Sequence, residues 1–248
     1  MERYVSQPLP LEGADNARDL GGYPAADGKS TRSGVFLRTD GLQDLTPADC
    51  AFLRRRGVRL ILDLRSDAEA RCAPDPAIEG VAYRRVPIID DVNSRAAQVA
   101  DGDPDKADFP KNMGEIYVDR LLHAGPLFAE ALDALAFCPG VGLFHCSAGK
   151  DRTGLVAMLL LKLCGVSDGD VVRDYAVTEA NMATKFEALR ALMRRMGLEP
   201  PAAMFSSAPE NMEKALACLD ELGGAEAYLL RSGLSPEAVA AIRAKLLG

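Results

Sequence analysis

The sequence predicts an α/β fold in which a central, mostly parallel sheet is flanked by helices. Short apolar runs with β-branched residues occur at 35–37, 58–64, 81–87 and 141–145, and helical stretches lie between them. Apolar strands that alternate with helices are typical of parallel sheets covered on both faces. With 248 residues, of which 48% are hydrophobic, the chain is long enough to bury one sizeable core. We therefore predict a single domain over residues 1–248.

The first half of the chain carries clear helix and strand signals. Residues 46–49 supply an N-cap threonine, a proline at the first helical position and an acid in the first turn, which predicts a helix that ends at Gly57. The strand at 58–64 follows directly. Arg84 and Arg85 lie on the strand at 81–87, and since neighbouring strand residues face opposite sides, we expect one of them to face inward or toward the site.

The second half is mostly helical after the strand at 141–145. Residues 155–163 are apolar, apart from one lysine, and predict a buried helix. Large apolar residues recur at near-helical spacing over 184–196, a pattern that is usually core, and two prolines at 200–201 then break it. Within an insert at about 182–222, we expect a helical lid over the site.

Composition excludes several classes of protein. The formal net charge of -7 argues against non-specific binding of nucleic acid. The longest apolar run, Leu155 to Leu161, is too short to span a bilayer, so we expect no membrane insertion. Residues 1–13 lack a signal-peptide pattern, which predicts a cytoplasmic protein or one exported without a classical signal. The six cysteines show no paired metal spacing, and we expect neither a metal nor an organic cofactor.

The most informative stretch is H-C-S-A-G-K-D-R-T-G at 145–154, where a strand, a glycine-containing loop and a helix start follow one another. This order points backbone N–H groups and a helix dipole at a phosphate. A thiol attacks only as the thiolate, and its pKa of about 8.5 falls to about 3.5–7.5 near a helix N-terminus or a cation. Cys146 is therefore a candidate nucleophile, and the planar fork of Arg152 suits two phosphate oxygens.

The remaining loop residues are candidate phosphate ligands or supports. Gly149 permits close backbone approach, and the hydroxyl of Thr153 is placed to reach back to the cysteine sulfur. The predicted phosphate-binding residues are Ser147, Ala148, Gly149, Lys150, Asp151, Arg152 and Thr153.

The two histidines do not favour a protease-like Cys-His pair. His145 and Cys146 are neighbours at a strand end, so their side chains point apart and His145 is a brace for the loop rather than a base. His123 lies in a helical stretch without a motif, and a Cys-His hydrolase would have to recruit it across the fold.

The loop resembles the signature of the cysteine-dependent protein tyrosine phosphatases, and its Lys-Asp pair resembles a bacterial branch of broad specificity. That branch includes secreted phosphatases of mycobacteria and Listeria that act on phosphoproteins and phosphoinositides. N-A-R-D-L-G-G at 16–22, D-L-R-S at 63–66 and the ending at 223–234 resemble further segments of this group. The resemblance implies a tyrosine-phosphatase-like fold and phosphomonoester hydrolysis through a cysteinyl-phosphate. It also implies phosphorylated proteins or phosphoinositides as substrates, and supporting roles for Arg18, Asp19 and Asp63.

The leaving oxygen needs a proton donor, and several acids are candidates. Asp90 is the first choice because it lies at the start of the loop after the strand that ends at Pro87, and the resemblance points to the same position. Asp91 is the near alternative. We expect Asp63, which closes a buried strand, to pair with backbone or an arginine.

Asp151 and Lys150 set this loop apart from that of a plain tyrosine phosphatase. A carboxylate within the cradle repels a dianion unless Lys150 or Arg18 neutralises it, or unless it is protonated. The resemblance implies that Asp151 is required, and we interpret it as catalytic support. Lys150 either favours multiply charged substrates or only balances Asp151, and both interpretations are kept.

The sequence is also compatible with other functions. The protein could act mainly on phosphoinositides, or it could be a catalytically weak phosphate-binding module, although the intact Cys146 and Arg152 argue against the latter. A sulfurtransferase loop is not expected to carry Lys-Asp-Arg-Thr-Gly. Arsenate reduction would need resolving cysteines closer to the loop than Cys138 and Cys164.

Overall fold

A computed structural model describes residues 8–88 and 112–248, and it confirms the predicted α/β architecture. Five strands form one sheet in the order β1-β2-β5-β3-β4. The pairs β2–β5, β5–β3 and β3–β4 are parallel, whereas β1 pairs antiparallel with β2. The strands are β1 (Arg18–Asp19), β2 (Phe36–Thr39), β3 (Val58–Asp63), β4 (Ala82–Arg85) and β5 (Val141–His145).

Helices cover both faces of this sheet, and β5 lies at its centre. In the first half they are α1 (Pro47–Arg55) and α2 (Asp67–Cys72). After residue 112 they are α3 (Met113–His123), α4 (Gly125–Ala136), α5 (Asp151–Leu163), α6 (Asp168–Asn181), α7 (Ala183–Arg195), α8 (Pro209–Glu221), α9 (Gly224–Arg231) and α10 (Pro236–Leu247). Short 3-10 helices occur at Ala26–Gly28 and Ala202–Phe205.

Alternation along the strands divides the core into two layers. Leu62 and Phe144 face the larger cluster, which α5 enters with a fully buried apolar run, as predicted for residues 155–163. Ile61 and Leu143 face the smaller cluster beneath α1. Because side chains of neighbouring strand residues point to opposite faces, the central strands carry apolar residues on both of their faces.

Strand register fixes where a site can form. Thr39 of β2 and Asp63 of β3 both pair with His145, so three parallel strands end side by side. Ligands of open α/β sheets lie beyond the carboxyl ends of the strands. The edge that carries Cys146 is therefore the expected position of the site.

Helix α1 begins as predicted, but the expectation for the two arginines on β4 is wrong. Thr46 and Asp49 form a reciprocal capping box at the start of α1. Arg84 is 45% exposed and pairs with Glu130, and Arg85 is 34% exposed and pairs with Asp67. All four residues of β4 are exposed, since neither face of this outermost strand is covered along Ala82–Arg85, and the alternation of the sequence does not reveal this.

The segment after α6 is partly separate from the main core. Met182, Phe186, Met193 and Phe205 form a small cluster of their own. Other members of the apolar pattern, Leu189, Leu192 and Met196, are exposed, so the expectation that the whole stripe is core is wrong.

Helix α8 belongs to the body of the domain rather than to this segment. Its Met212, Leu216 and Leu219 lie in the larger core cluster. This placement narrows the candidate lid from 182–222 to 182–206. Within the described ranges, no helix combines the length and apolar character that crossing a membrane requires.

Candidate functional site

The candidate site is the loop that joins the central strand to α5. His145 ends β5, Cys146 follows at 1% exposed, and Asp151 is the first residue of α5. The structure thus has the predicted order of strand, loop and helix start. The N-terminus of α5 directs its unpaired N–H groups and its dipole toward the loop.

The backbone of the loop is held by partners from residues 16–41. The carbonyl of residue 147 accepts from the N–H of Gly41 at 3.0 Å, and the carbonyl of residue 148 accepts from the Asn16 amide at 3.0 Å. The carbonyl of residue 149 accepts from Asn16 at 3.2 Å and from Arg38 at 2.7 Å. These peptides are trans, so each N–H points opposite to the carbonyl of its own unit. The N–H groups of residues 148–150 therefore face away from residues 16–41 and form a nest suited to an anion.

Gly149 is required by this arrangement for two reasons. Its φ of +63° lies in the left-handed region, which disfavours side chains. A Cβ at this position would also lie 2.3 Å from the Thr39 carbonyl oxygen, much closer than a real contact allows. The predicted close backbone approach is thus an approach to β2.

Arg152 is oriented by Glu69 of α2, a residue that the sequence analysis missed. The two terminal nitrogens of Arg152 each donate to one carboxylate oxygen at 2.7 Å. Glu69 also accepts from the hydroxyl of Ser147 at 2.6 Å, so it contacts both ends of the loop. Burial raises the pKa of Glu69, but the bonds and charge of Arg152 outweigh it and lower the pKa to about 2. The available signal was the capping box that Glu69 forms with Ser66 directly after the D-L-R-S segment.

Lys150 does not point into solvent near the loop. Its side chain is 1% exposed, and its amine donates to the backbone carbonyls of Met204 at 2.7 Å and Ser206 at 3.1 Å. The amine also lies 3.6 Å from Asp151 Oδ1 and 6.0 Å from the centre of the Phe186 ring. Neither of the two interpretations of Lys150 from the sequence includes this contact, which joins the loop to the segment 182–206.

Asp151 is held by tyrosines as well as by Lys150. The hydroxyl of Tyr117 donates to Asp151 and lies 2.8 Å from the hydroxyl of Tyr175. Burial and the nearby charge of Asp151 raise the pKa of Tyr117 well above its usual value, so Tyr117 remains a donor. No motif in the sequence marked this tyrosine pair.

Arg18 and Asp19 act at a distance from the loop centre. Arg18 pairs with Asp174 at 2.8 Å, so the suggestion that it neutralises Asp151 is wrong. Asp19 accepts from the N–H groups of Gly21 at 2.9 Å and Gly34 at 2.7 Å, and thereby holds the turn between β1 and β2.

His145 braces the loop from behind, through contacts that the sequence alone did not supply. Its Nδ1 lies 3.2 Å from the Cys146 carbonyl oxygen, and its Nε2 lies 3.2 Å from Asp75. Asp63 accepts three bonds from the Arg65 side chain and one from its backbone N–H, so it pairs with an arginine as expected. These contacts with Arg65 lower the pKa of Asp63 although burial raises it.

Asp63, Asp75 and His145 are the one group among the described residues whose ligand-type atoms lie close enough to hold a metal ion. The guanidinium of Arg65 binds both carboxylates at 2.9 and 2.6 Å. Because a cation already bridges these acids, the arrangement suits a structural network better than a metal ion. The other histidine, His123, is 72% exposed on α3 and pairs with Asp119 of the same helix.

The predictions for Thr153 and for the candidate acids have different outcomes. The hydroxyl of Thr153 is buried and has no hydrogen-bond partner in the described part of the chain, so the expected bond to the cysteine sulfur is not formed. Asp90 and Asp91, the candidate acids, lie outside the described residues.

Comparison with known proteins decides the family. The sequence profile described as the tyrosine phosphatase family matches residues 9–248, nearly the whole chain. The chain belongs to the tyrosine phosphatase family. It is 30% identical over 234 residues to a tyrosine-protein phosphatase of Nostoc commune, covering 90% of this chain and 78% of the relative.

Two further relatives in the tyrosine phosphatase family are similar to this chain. A putative tyrosine-protein phosphatase of Cupriavidus necator is 31% identical over 198 residues, covering 77% of this chain and 70% of the relative. The triple specificity protein phosphatase PtpB of Mycobacterium tuberculosis is 27% identical over 285 residues, covering 96% and 98% of the two chains. As a member of this family, the protein is a cysteine-dependent phosphoric monoester hydrolase.

Proposed function

We propose that this protein hydrolyses phosphomonoesters through a cysteinyl-phosphate, with phosphotyrosine and phosphoserine in proteins as its main substrates. The observation that carries the proposal is the orientation of the loop backbone. Three consecutive carbonyls are tied to residues 16–41, so the N–H groups of residues 148–150 are turned to the other side. Arg152 and the start of α5 lie beside them. Donors of this kind stabilise the equatorial oxygens of a phosphoryl group during transfer.

The reaction has two steps. In the first, the Cys146 thiolate attacks phosphorus, an S–P bond forms, and the bond to the substrate oxygen breaks. The leaving oxygen takes a proton from an acid, which we assign to Asp90 on the sequence argument. In the second, water attacks phosphorus and loses a proton to Asp90 or Asp151, and the S–P bond breaks. Inorganic phosphate leaves and the thiolate is restored.

Phosphoinositide hydrolysis is the second candidate function. A second loop cation, Lys150, favours multiply charged substrates. The similarity to a phosphatase named for triple specificity also supports a broad substrate range. The Lys150 amine, however, binds the carbonyls of Met204 and Ser206, and a phosphoinositide would have to draw it away. We therefore place phosphoproteins first.

Side-by-side phosphate release tests the reaction and ranks the substrates. The substrates to be compared are an aryl phosphate, phosphotyrosine and phosphoserine peptides, and phosphoinositide vesicles. The wild type should release phosphate from the aryl phosphate and the peptides, and Cys146→Ser should abolish release, because no other group can form the intermediate. The matched control is Cys50→Ser on α1, which should keep full activity. A wild type that binds phosphate but releases none from any substrate would establish the binding-module alternative instead.

Leaving-group dependence tests the assignment of Asp90. An acid that protonates the leaving oxygen matters most when that oxygen is basic, so Asp90→Asn should slow poor leaving groups by about 10²–10⁴-fold and good ones far less. The measurement is kcat across a series of aryl phosphates, with Asp91→Asn as the neighbouring control. An equal loss for every leaving group would exclude Asp90 as the acid.

A further inference from the structure

A buried group of charged side chains lies directly behind the loop and takes no part in the proposed chemistry. Asp174 of α6 accepts hydrogen bonds from Arg18 at 2.8 Å, from the Tyr23 hydroxyl at 2.9 Å, and from Arg38. Arg38 uses its other terminal nitrogen to bind the Gly149 carbonyl at 2.7 Å. One guanidinium therefore joins α6 to the backbone of the loop.

A second route from α6 to the loop passes through Asn16. Arg18 donates to the backbone oxygen of Asn16 at 2.9 Å and to its side-chain oxygen at 2.6 Å. Asn181 donates to the same side-chain oxygen at 3.2 Å. With its oxygen held in this way, the Asn16 amide nitrogen is directed at the carbonyls of residues 148 and 149. Asp174 and Asn181 have the i, i+7 spacing that places them on one face of α6.

We propose that Asp174 is a positioning residue of the loop, which acts through Arg38 and through the Arg18–Asn16 contact. Both routes keep the carbonyls of residues 148 and 149 turned out of the nest. A carbonyl that rotated inward would bring a partial negative charge toward the phosphoryl group and remove an N–H donor. This inference rests on the proposed function, because it concerns the same loop.

The charges of the group are consistent with this role. Burial, and then the charge of Arg18, lower the pKa of Arg38 to about 10. Burial raises the pKa of Asp174, but the charges of Arg18 and Arg38 outweigh it and bring the pKa to about 2. Asp174 therefore stays ionised and places a negative charge between the two buried guanidinium groups. Two cations and one anion leave an excess positive charge behind an anion-binding loop.

Two substitutions break this arrangement in different ways. Asp174→Asn removes the charge that holds both arginines. Arg38→Lys keeps a cation beside Asp174, but a single ammonium lacks the fork that spans Asp174 and the Gly149 carbonyl. We expect kcat for an aryl phosphate to fall by about a hundredfold in each, since the lost contribution is oriented oxyanion donors. KM should change much less, and tungstate should bind at least about tenfold more weakly by calorimetry.

The control must lose a buried carboxylate without touching the loop. Asp49→Asn fits, because Asp49 is buried and binds the backbone N–H groups of Glu12 and Gly13. It should keep the wild-type kcat and tungstate affinity, measured for every variant at a temperature where circular dichroism shows it folded. Wild-type kcat and tungstate affinity in folded Arg38→Lys would overturn the inference, even where Asp174→Asn fails to fold. A wild type that binds tungstate without releasing phosphate would refute the proposed function instead, and tungstate affinity would then decide this inference alone.

Discussion

At the scale of single residues, Glu69 controls the geometry of both ends of the loop. It holds the Arg152 fork with one bond to each terminal nitrogen and accepts the hydroxyl of Ser147. A bidentate pair fixes the plane of a guanidinium, which a single contact does not. Because its pKa is lowered to about 2, Glu69 remains ionised at any pH at which the enzyme would be assayed.

Replacement of Glu69 should therefore lower the activity, although titration of Glu69 should add no pH dependence to the wild-type activity. Glu69→Gln keeps the shape of the side chain but removes its charge and one acceptor, so Arg152 loses its fixed orientation. We expect kcat/KM to fall by about a hundredfold, the size of loss caused by a misplacement of about 1 Å. The measurement is the pH–rate profile, in which the wild type should show no inflection from Glu69 above pH 4 or so.

Asp67→Asn on the same helix is the matched control. Asp67 is mostly exposed and pairs with Arg85 on the surface, so its loss should leave kcat/KM unchanged. An equal fall in kcat/KM for the two substitutions would mean that α2 as a whole, rather than the Glu69 carboxylate, orients Arg152.

The sequence predicts some of these residues and not others for a physical reason. Cys146, Gly149 and Arg152 lie within one short motif, so their spacing carries the chemistry. Glu69 contacts a residue 83 positions away, and Arg38 contacts Asp174 136 positions away. Such pairs become neighbours only when the sheet order and the helix packing are known.

At the scale of elements, the segment 182–206 packs apart from the main core of the described fold. Its four buried apolar side chains form a cluster apart from the main core. It reaches the loop through the packing of Ala148 and through the bonds from Lys150 to two carbonyls. We propose that this segment is the lid expected from the sequence, although it is shorter than expected.

Hydrogen exchange tests whether the lid opens. Because few buried contacts hold α7, its amides should exchange faster than those of α5 and α8, and vanadate should slow them by closing the segment over the loop. The same measurement on Cys146→Ser, which cannot form the covalent vanadate adduct, is the control and should show little slowing. Uniformly slow exchange across 182–206, unchanged by vanadate, would contradict a lid.

Element boundaries were predictable where the signal was local. The capping box at Thr46 and Asp49 fixes the start of α1 from four residues of sequence. The exposure of Arg84 and of Leu189 depends instead on what lies next to β4 and α7 in space. Periodicity shows which residues share a face, but only the packing shows whether that face is covered.

At the scale of the whole molecule, the sheet order determines which parts of the chain meet. Since β5 lies between β2 and β3, the loop after it is flanked by the ends of both strands. Asn16, Arg18 and Arg38, together with residues that follow β2 and β3 and with one face of α6, supply the contacts described above. The sequence predicted a mostly parallel sheet, and in such a sheet the carboxyl ends of the parallel strands share one edge. It did not predict that β5, late in the chain, would be inserted between two earlier strands.

The hydrogen bonds that connect residues 16–41 and α6 to the loop also determine when the loop can be completed during synthesis. During synthesis Asn16 and Arg38 leave the ribosome long before Cys146, but Asp174 and Asn181 leave after it. The buried contacts that brace the nest of N–H groups are consequently incomplete until α6 has emerged. A nascent chain that ends before α6 would carry Cys146 and the loop without the bracing contacts from Asp174 and Asn181. If Asp174 positions the loop as proposed, full activity toward phosphate is acquired only after α6 has been made.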